Sequence, residues 1–377
     1  MRIVMDARYL SGEYSGIAQY SEDFLAHLAA EDTRTEYVVY VHPSYKRQLP
    51  LGENFTVKTF DARPVSLATV LRFGAVVRRE KPDLLHSLFP LTPLFHRGPL
   101  LVTIYDLQAL LVPEFTGLRP FLVRKAYDLF YRWAYPATVR RARYVVTTSE
   151  ATRKDIARMF PRHADRAIVV HAGIDADRLA QCSPDFIEQT RRQYGLPDRY
   201  LLYIGSTRPN KNLPTMIRAY AQAVRDYPEL GDISLVLVVS PDRFFSECRK
   251  LIRTLKLSER VQIHRNINEE EKKAFYHGSR ALYLVTKFEG FGLPLLEAQA
   301  CSAPVLAANH AALPEIGGDS ALFVNPDDPH AIAEGLRTIL TDEGLRRDLI
   351  EKGRRNLKRF RWQRTVQTLI QIYHHLF

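Results

Sequence analysis

Two glutamates eight positions apart, Glu289 and Glu297, bracket the segment Glu-Gly-Phe-Gly-Leu-Pro-Leu-Leu-Glu. Carboxylates accept hydrogen bonds from hydroxyl groups, and glycines let a ligand come close to the backbone. The apolar run at 281–285 just upstream reads as a buried parallel strand. Pro294 suits the first turn of a helix, where its missing N–H is not needed. The pattern therefore predicts Glu289 on the loop after a strand and Glu297 in the first turn of the next helix. Both then face the crevice beyond the carboxyl end of a sheet, where open α/β folds bind ligands. One carboxylate can hold sugar hydroxyls and the other a ribose, while the N–H groups of the helix start favour a phosphate. This is chemistry suited to a nucleotide sugar.

Two further strand-to-loop junctions carry candidate chemistry. Tyr203-Ile-Gly-Ser-Thr-Arg-Pro-Asn-Lys-Asn212 brings the positive charges of Arg208 and Lys211 beyond a strand end, and Gly205 leaves room there. Either these side chains reach a diphosphate, each charge-assisted hydrogen bond contributing about 1.5–3 kcal/mol, or the loop is a solvated basic surface. Ser11-Gly-Glu-Tyr-Ser-Gly-Ile17 precedes a helix but is not a GxGxxG motif. Gly12 and Gly16 either admit a ligand or shape a tight turn.

Strand-like and helix-like segments alternate through the chain. One series of strands is predicted at 2–7, 37–41, 83–86, 100–105, 144–148 and 167–170, and a second at 200–204, 234–239, 261–264, 281–285, 304–307 and 321–324. A helix with Ile17, Tyr20, Phe24 and Leu28 on its apolar face follows the first strand. Continuous apolar strands separated by helices imply parallel sheets covered on both faces. With 377 residues, two domains are expected. The boundary is placed near Ala172–Asp177, giving domains 1–174 and 175–362. The terminal segment 363–377 is an amphipathic helix that could cover either one.

Composition narrows the class further. Hydrophobic residues make up 46% of the chain, as in a soluble globular protein, and no run is long and apolar enough to span a membrane. The opening residues read as a core strand, not a signal peptide. Cys182, Cys248 and Cys301 are scattered and fit reduced thiols in a cytoplasmic protein. A net charge of +11 calls for an anionic partner. Nucleic acid ranks low, because zinc-finger spacing, an RNA-recognition signature and an isolated basic helix are all missing. No HExxH or close His/Cys cluster suggests a metal, and no GxSxG elbow suggests a hydrolase.

Residues 200–360 together resemble the retaining glycosyltransferases of family 4, which have the GT-B fold. The resemblance rests on Gly205-x-x-x-Pro209-x-Lys211-Asn212-Leu213, on Glu289 through Ala298, on Pro304-Val305, on Leu313-Pro-Glu-Ile-Gly317 and on Phe323-Val-Asn-Pro326. The first half matches more loosely, through Gly16-Ile17, Thr103-Ile-Tyr-Asp106, Thr148-Ser149 and Ala172-Gly-Ile-Asp175. The resemblance implies two Rossmann-like domains with parallel sheets facing across a cleft, and a C-terminal helix crossing back onto the first. It implies catalytic roles for Lys211, on the diphosphate leaving group, and Glu289, on sugar hydroxyls. Gly16, Gly205, Ser206, Arg208, Asn210, Phe291, Gly292, Leu293 and Glu297 join the donor-binding set, with Glu297 on the ribose. His86, Tyr105 and Asp106 are acceptor-side candidates. Asn210 stands where many relatives carry arginine, and Tyr105 where many carry histidine.

The reaction so implied moves a hexose from a nucleotide diphosphate sugar to a glycan or lipid-linked hydroxyl, with retention and without a metal or other cofactor. Bacterial surface polysaccharide or glycolipid synthesis is the expected setting. A mannose-type donor on GDP is one reading; UDP-glucose or another hexose donor is open. An epimerase or phosphorylase of the same architecture, and a non-catalytic nucleotide-sugar-binding protein, are the alternatives. Finally, residues 119–143 interleave Arg119, Arg124, Lys125, Arg132, Arg140, Arg141 and Arg143 with six aromatic side chains. That composition suits either an anionic membrane surface, placing the enzyme peripherally at the inner face of the plasma membrane, or a core helix with a solvated basic face.

Overall fold

The apolar runs become strands because helices bury them on both faces. Tyr200, Leu201, Leu202 and Tyr203, for instance, have almost no exposed surface. The computed structural model describes residues 1–12, 15–112, 115, 121–240 and 244–376. The chain divides into two units, one of Met1–Gly173 with Phe360–Phe377 and the other of Ile174–Arg359.

The first unit holds strands β1 (Arg2–Asp6), β2 (Glu36–Val41), β3 (Phe55–Thr59), β4 (Leu84–Ser87), β5 (Leu100–Ile104), β6 (Tyr144–Thr147) and β7 (Ala167–Val169). They form a parallel sheet in the order β3-β2-β1-β4-β5-β6-β7. The second unit holds β8 (Tyr200–Gly205), β9 (Ser234–Val239), β10 (Val261–His264), β11 (Ala281–Leu284), β12 (Val305–Ala308) and β13 (Leu322–Val324). Its parallel sheet runs β10-β9-β8-β11-β12-β13. Each sheet thus has the strand order of a doubly wound Rossmann-like fold, with direction reversing between β1 and β4 and between β8 and β11.

In the first unit the loop after β1 is closed by charge. The Arg8 guanidinium donates from Nε to Asp6 Oδ1 at 2.7 Å and from its terminal nitrogen to Oδ2 at 2.6 Å. It lies 4.1 Å over the Phe73 ring and also donates to Thr69. Both partners are fully buried.

The C-terminal helix Trp362–His375 packs in this same unit, beside helix Gly16–Glu31. Trp362 lies against Tyr20 and His27, and Tyr373 meets His86. His86 is completely buried, with ring nitrogens 2.7 Å from the Tyr373 hydroxyl and 3.0 Å from Thr103 Oγ1. It therefore does not present its imidazole to an acceptor; it bridges β4 to the terminal helix. None of the three cysteines forms a disulfide.

Burial lowers the His86 pKa to about 3. The unfolded chain takes up this proton near the ordinary imidazole value of about 6.5, whereas the folded chain refuses it until about pH 3. The site therefore removes stability as pH falls through that interval, by up to about 1.4 kcal/mol per pH unit. His86→Gln should flatten the fall of Tm between about pH 6.5 and 4. Parallel Tm curves for the two proteins would contradict a neutral, buried His86.

Candidate active site

The reversal of strand order in the second unit leaves the loops after β8 and β11 side by side. Strands on either side of a reversal send their connections to opposite faces of the sheet, which opens a crevice at their carboxyl ends. Lys211 ends the short 3-10 turn Pro209–Lys211 after β8, and Glu289 lies on the loop after β11. Lys211 Nζ donates to both Glu289 oxygens, at 2.7 and 2.9 Å. The lysine side chain retains 22% of its surface and the glutamate 9%. A ligand therefore has access to the pair, mainly from the ammonium side.

Two asparagines hold these loops in register. Asn210 Nδ2 donates to the Phe288 carbonyl at 3.2 Å, and its own carbonyl accepts from the Lys287 and Phe288 amides. Buried Asn212 donates to the carbonyls of Val285, at 3.1 Å, and Pro326, at 2.8 Å. Asn210 was expected among the donor contacts. Its side chain is instead buried and spent on the loop that carries Glu289, so it positions that loop. Asn212 directly follows Lys211, and the sequence alone gives its side chain no role.

Glycine is required at two points. Gly205 ends β8 where a Cβ would lie 2.9 Å from the Tyr203 hydroxyl, which itself donates to the Ser206 carbonyl. Gly292 precedes helix Leu293–Ala300 with φ +104°, and a Cβ there would meet Leu313 Cδ2 at 2.7 Å. Phe291 is buried and Leu293 begins the helix, so the backbone at 291–293 forms a helix N-terminus beside Glu289. Arg208 is exposed ahead of the 3-10 turn.

Glu297 stands in the second turn of helix Leu293–Ala300, not the first, because Leu293 and Pro294 are already helical. It is buried and held by helix Glu269–Gly278. Lys272 Nζ donates to one of its oxygens at 2.9 Å, and the Tyr276 hydroxyl to the other at 2.8 Å. Lys272 also pairs with Glu269. A carboxylate offers about four acceptor positions, so hydroxyl contacts remain possible beside these two. Neither Lys272 nor Tyr276 was singled out in the sequence. Their signal is the Asn268–Glu271 capping box, which fixes the start of their helix.

The remaining candidates lie in the first unit. Gly16 is the exposed first residue of helix Gly16–Glu31; Glu13 and Tyr14 lie outside the described residues. Tyr105 and Asp106 are half-buried just beyond β5. The Tyr105 hydroxyl donates to the Leu88 carbonyl at 3.0 Å, and Asp106 accepts from the backbone and side-chain nitrogens of Gln108.

Solved structures share this architecture across the whole chain. Sucrose-phosphate synthase from Thermosynechococcus elongatus matches with a TM-score of 0.77 and 21% identity, covering 100% of this chain and 99% of that one. Anabaena Alr3699/HepE, solved in complex with UDP and glucose, matches with a TM-score of 0.76 and 19% identity, covering 100% of both. Two Rossmann-like parallel units of this kind define a GT-B fold. A family profile described as Glycosyltransferase Family 4 matches residues 14–178, and one described as Glycosyl transferases group 1 matches residues 186–356. The chain belongs to the GT-B glycosyltransferases of family 4 type. Among its relatives, O-antigen chain mannosyltransferase B of Escherichia coli is 24% identical over 391 aligned residues, covering 99% of each chain.

Gly292→Ala imposes both a left-handed φ and a clash with Leu313, at a cost of about 1–3 kcal/mol. A clear fall in Tm is expected from thermal unfolding. An unchanged Tm would contradict the conformation assigned to this turn.

Proposed function

We propose that the protein is a retaining hexosyltransferase that uses a nucleotide diphosphate sugar and glycosylates a glycan or lipid-linked hydroxyl. The observation that carries this reading is the contact of Lys211 with Glu289 at the strand reversal of the second unit. A cation and an anion held side by side match the two ends of such a donor. Lys211 takes the diphosphate and Glu289 takes sugar hydroxyls. Donor binding exchanges the internal ion pair for one contact from each partner, so neither charge is stripped of its hydrogen bonds.

In transfer, the bond between the anomeric carbon and the phosphate oxygen breaks. The acceptor oxygen bonds to that carbon on the same face, and its proton passes to the departing phosphate. Lys211, Arg208 and the helix start at 291–293 offset the growing phosphate charge, with no metal ion or other cofactor in the scheme. The chain then acts by positioning and by electrostatics rather than by a covalent nucleophile. Glu297, oriented by Lys272 and Tyr276, holds the ribose. Tyr105 and Asp106 remain as acceptor-side residues.

Retention is supported by the resemblance to retaining enzymes. A mannose-type donor and a role in bacterial surface polysaccharide synthesis are supported by the E. coli O-antigen relative. The neighbour solved with UDP and glucose keeps a UDP-hexose donor in view.

Release of nucleoside diphosphate only when acceptor is present distinguishes transfer from epimerisation and from binding without turnover. Lys211→Ala should lower that turnover by about two to three orders of magnitude. Turnover like that of the unaltered protein would remove Lys211 from its role.

A further inference from the structure

Parallel strands put their amino ends on one side of a sheet, away from the crevice at their carboxyl ends. In the first unit β5, β6 and β7 are neighbours, and the residues that lead into them line one cleft of about 620 Å³. Pro99 and Leu100 open β5, Arg143 and Tyr144 open β6, and Asp165 and Arg166 precede β7. Leu376, just after the C-terminal helix, also lines it, so every wall belongs to this one unit. Tyr105 and Asp106 lie beyond the other end of β5, on the order of 15 Å away at about 3.3 Å per residue. An occupant of the cleft therefore takes no part in chemistry beside them.

The cleft gathers Arg97, Arg141, Arg143 and Arg166 against one acid, Asp165. Like charges brought together repel, and arginine does not give up its proton. Backbone carbonyls account for two of the four. Helix Phe121–Arg141 ends here, and the last carbonyls of a helix lack partners. Arg166 Nη1 donates to the carbonyls of Arg140, at 3.0 Å, and Ala142, at 3.1 Å. Arg141 donates to the Pro93 carbonyl at 2.7 Å and to the His96 carbonyl. These bonds fix two guanidinium groups at the cleft and leave part of each fork unused, because a guanidinium has five N–H donors. Arg97 and Arg143 have no such partners. Both are exposed, and among the described residues neither side chain makes a hydrogen bond or an ion pair. None of the four pairs with Asp165 among those residues either. Burial, and then the charge of Arg140, press the Arg141 pKa downward, the direction expected of a cation short of an anion.

Guanidinium forks match phosphate oxygens bidentately. The charge narrows the ligand further. Four arginines less one aspartate leave a surplus of three positive charges, whereas one phosphate ester carries about −1.5 to −2 near neutral pH. Two linked phosphates offset that surplus better than one. We propose that this cleft binds a small diphosphate-bearing molecule, at a site separate from the crevice of Lys211 and Glu289. The ligand joins the turn before β5 to the end of helix Phe121–Arg141 and to the turn before β7. It acts by stabilising the first unit, not by reacting. Of the basic residues grouped at 119–143, Arg141 and Arg143 thus complete a site with residues from outside that segment; Arg119 lies outside the described residues.

The test is calorimetric titration and thermal unfolding of the full chain with inorganic diphosphate. Lys211→Met should still bind it and gain Tm, because the cleft is intact. Adding Arg97→Ala and Arg143→Ala to that variant should weaken binding at least about tenfold and remove most of the gain. Both side chains are exposed and without bonds, so the Tm without ligand should be kept. Lys250→Ala with Arg253→Ala removes the same charge from the exposed side of helix Phe245–Thr254 and should leave binding unchanged. Inorganic phosphate should bind more weakly than diphosphate. Binding lost in Lys211→Met alone would assign the anion to the donor crevice, overturning the second site while leaving the proposed function intact. Equal weakening by both charge-removing pairs would reduce the effect to net charge and overturn the proposal. So would the absence of binding, or phosphate held as tightly as diphosphate.

Discussion

Lys211 and Glu289 are 78 positions apart, yet the ammonium bonds both carboxylate oxygens. They meet because β8 and β11 are neighbours where the strand order reverses, which places the two loops that carry them beside one crevice. Much of the local structure serves that contact. Gly205 makes room at the end of one strand, Gly292 turns the other loop into its helix, and Asn210 and Asn212 tie the loops together through carbonyl groups. The pair is neither fully buried nor fully exposed. A fully buried pair would be held inside the fold, and a fully exposed one would be weakened by water and salt.

The same topology serves a different end in the first unit. There the loop after β1 places Arg8 against Asp6, and both are sealed beneath aromatic rings. That ion pair braces the carboxyl end of the interior strand β1 and offers no charge to a ligand. In the second unit the equivalent loop carries Lys211, which keeps open surface. Glu297 is a third arrangement. It is buried like Asp6, and among the described contacts Lys272 and Tyr276 each take one acceptor position, on different oxygens. Burial with spare acceptor capacity orients a carboxylate without exhausting it.

The alternation of apolar runs with helical segments made both sheets legible, since strands buried on two faces read as continuous hydrophobic stretches. The edge strand β3 escaped because Phe-Thr-Val-Lys-Thr is mostly exposed and lacks such a run. Within the site, glycine and proline spacing correctly placed Glu289 on a loop after a strand. It put Glu297 one turn early, because Pro294 is the second helical residue and the register depends on where Gly292 stops the loop. Long-range pairings were the least legible. Asn210 reads in sequence as a missing positive charge, and only the fold shows its amide bracing Phe288. His86 reads as a strand-end histidine near a ligand, and only the packing of the C-terminal helix shows it enclosed.

The central claim is that one donor molecule separates this ion pair, taking its diphosphate to Lys211 and its sugar to Glu289. The most direct measurement is calorimetric titration of Glu289→Gln and Lys211→Met with a nucleoside diphosphate and with the corresponding nucleotide sugar. Lys211→Met should weaken both ligands. Glu289→Gln should weaken the nucleotide sugar while leaving the nucleoside diphosphate bound as well as before, or better. Equal weakening of both ligands by Glu289→Gln, or unchanged binding of both in Lys211→Met, would contradict the division of the donor between these two residues.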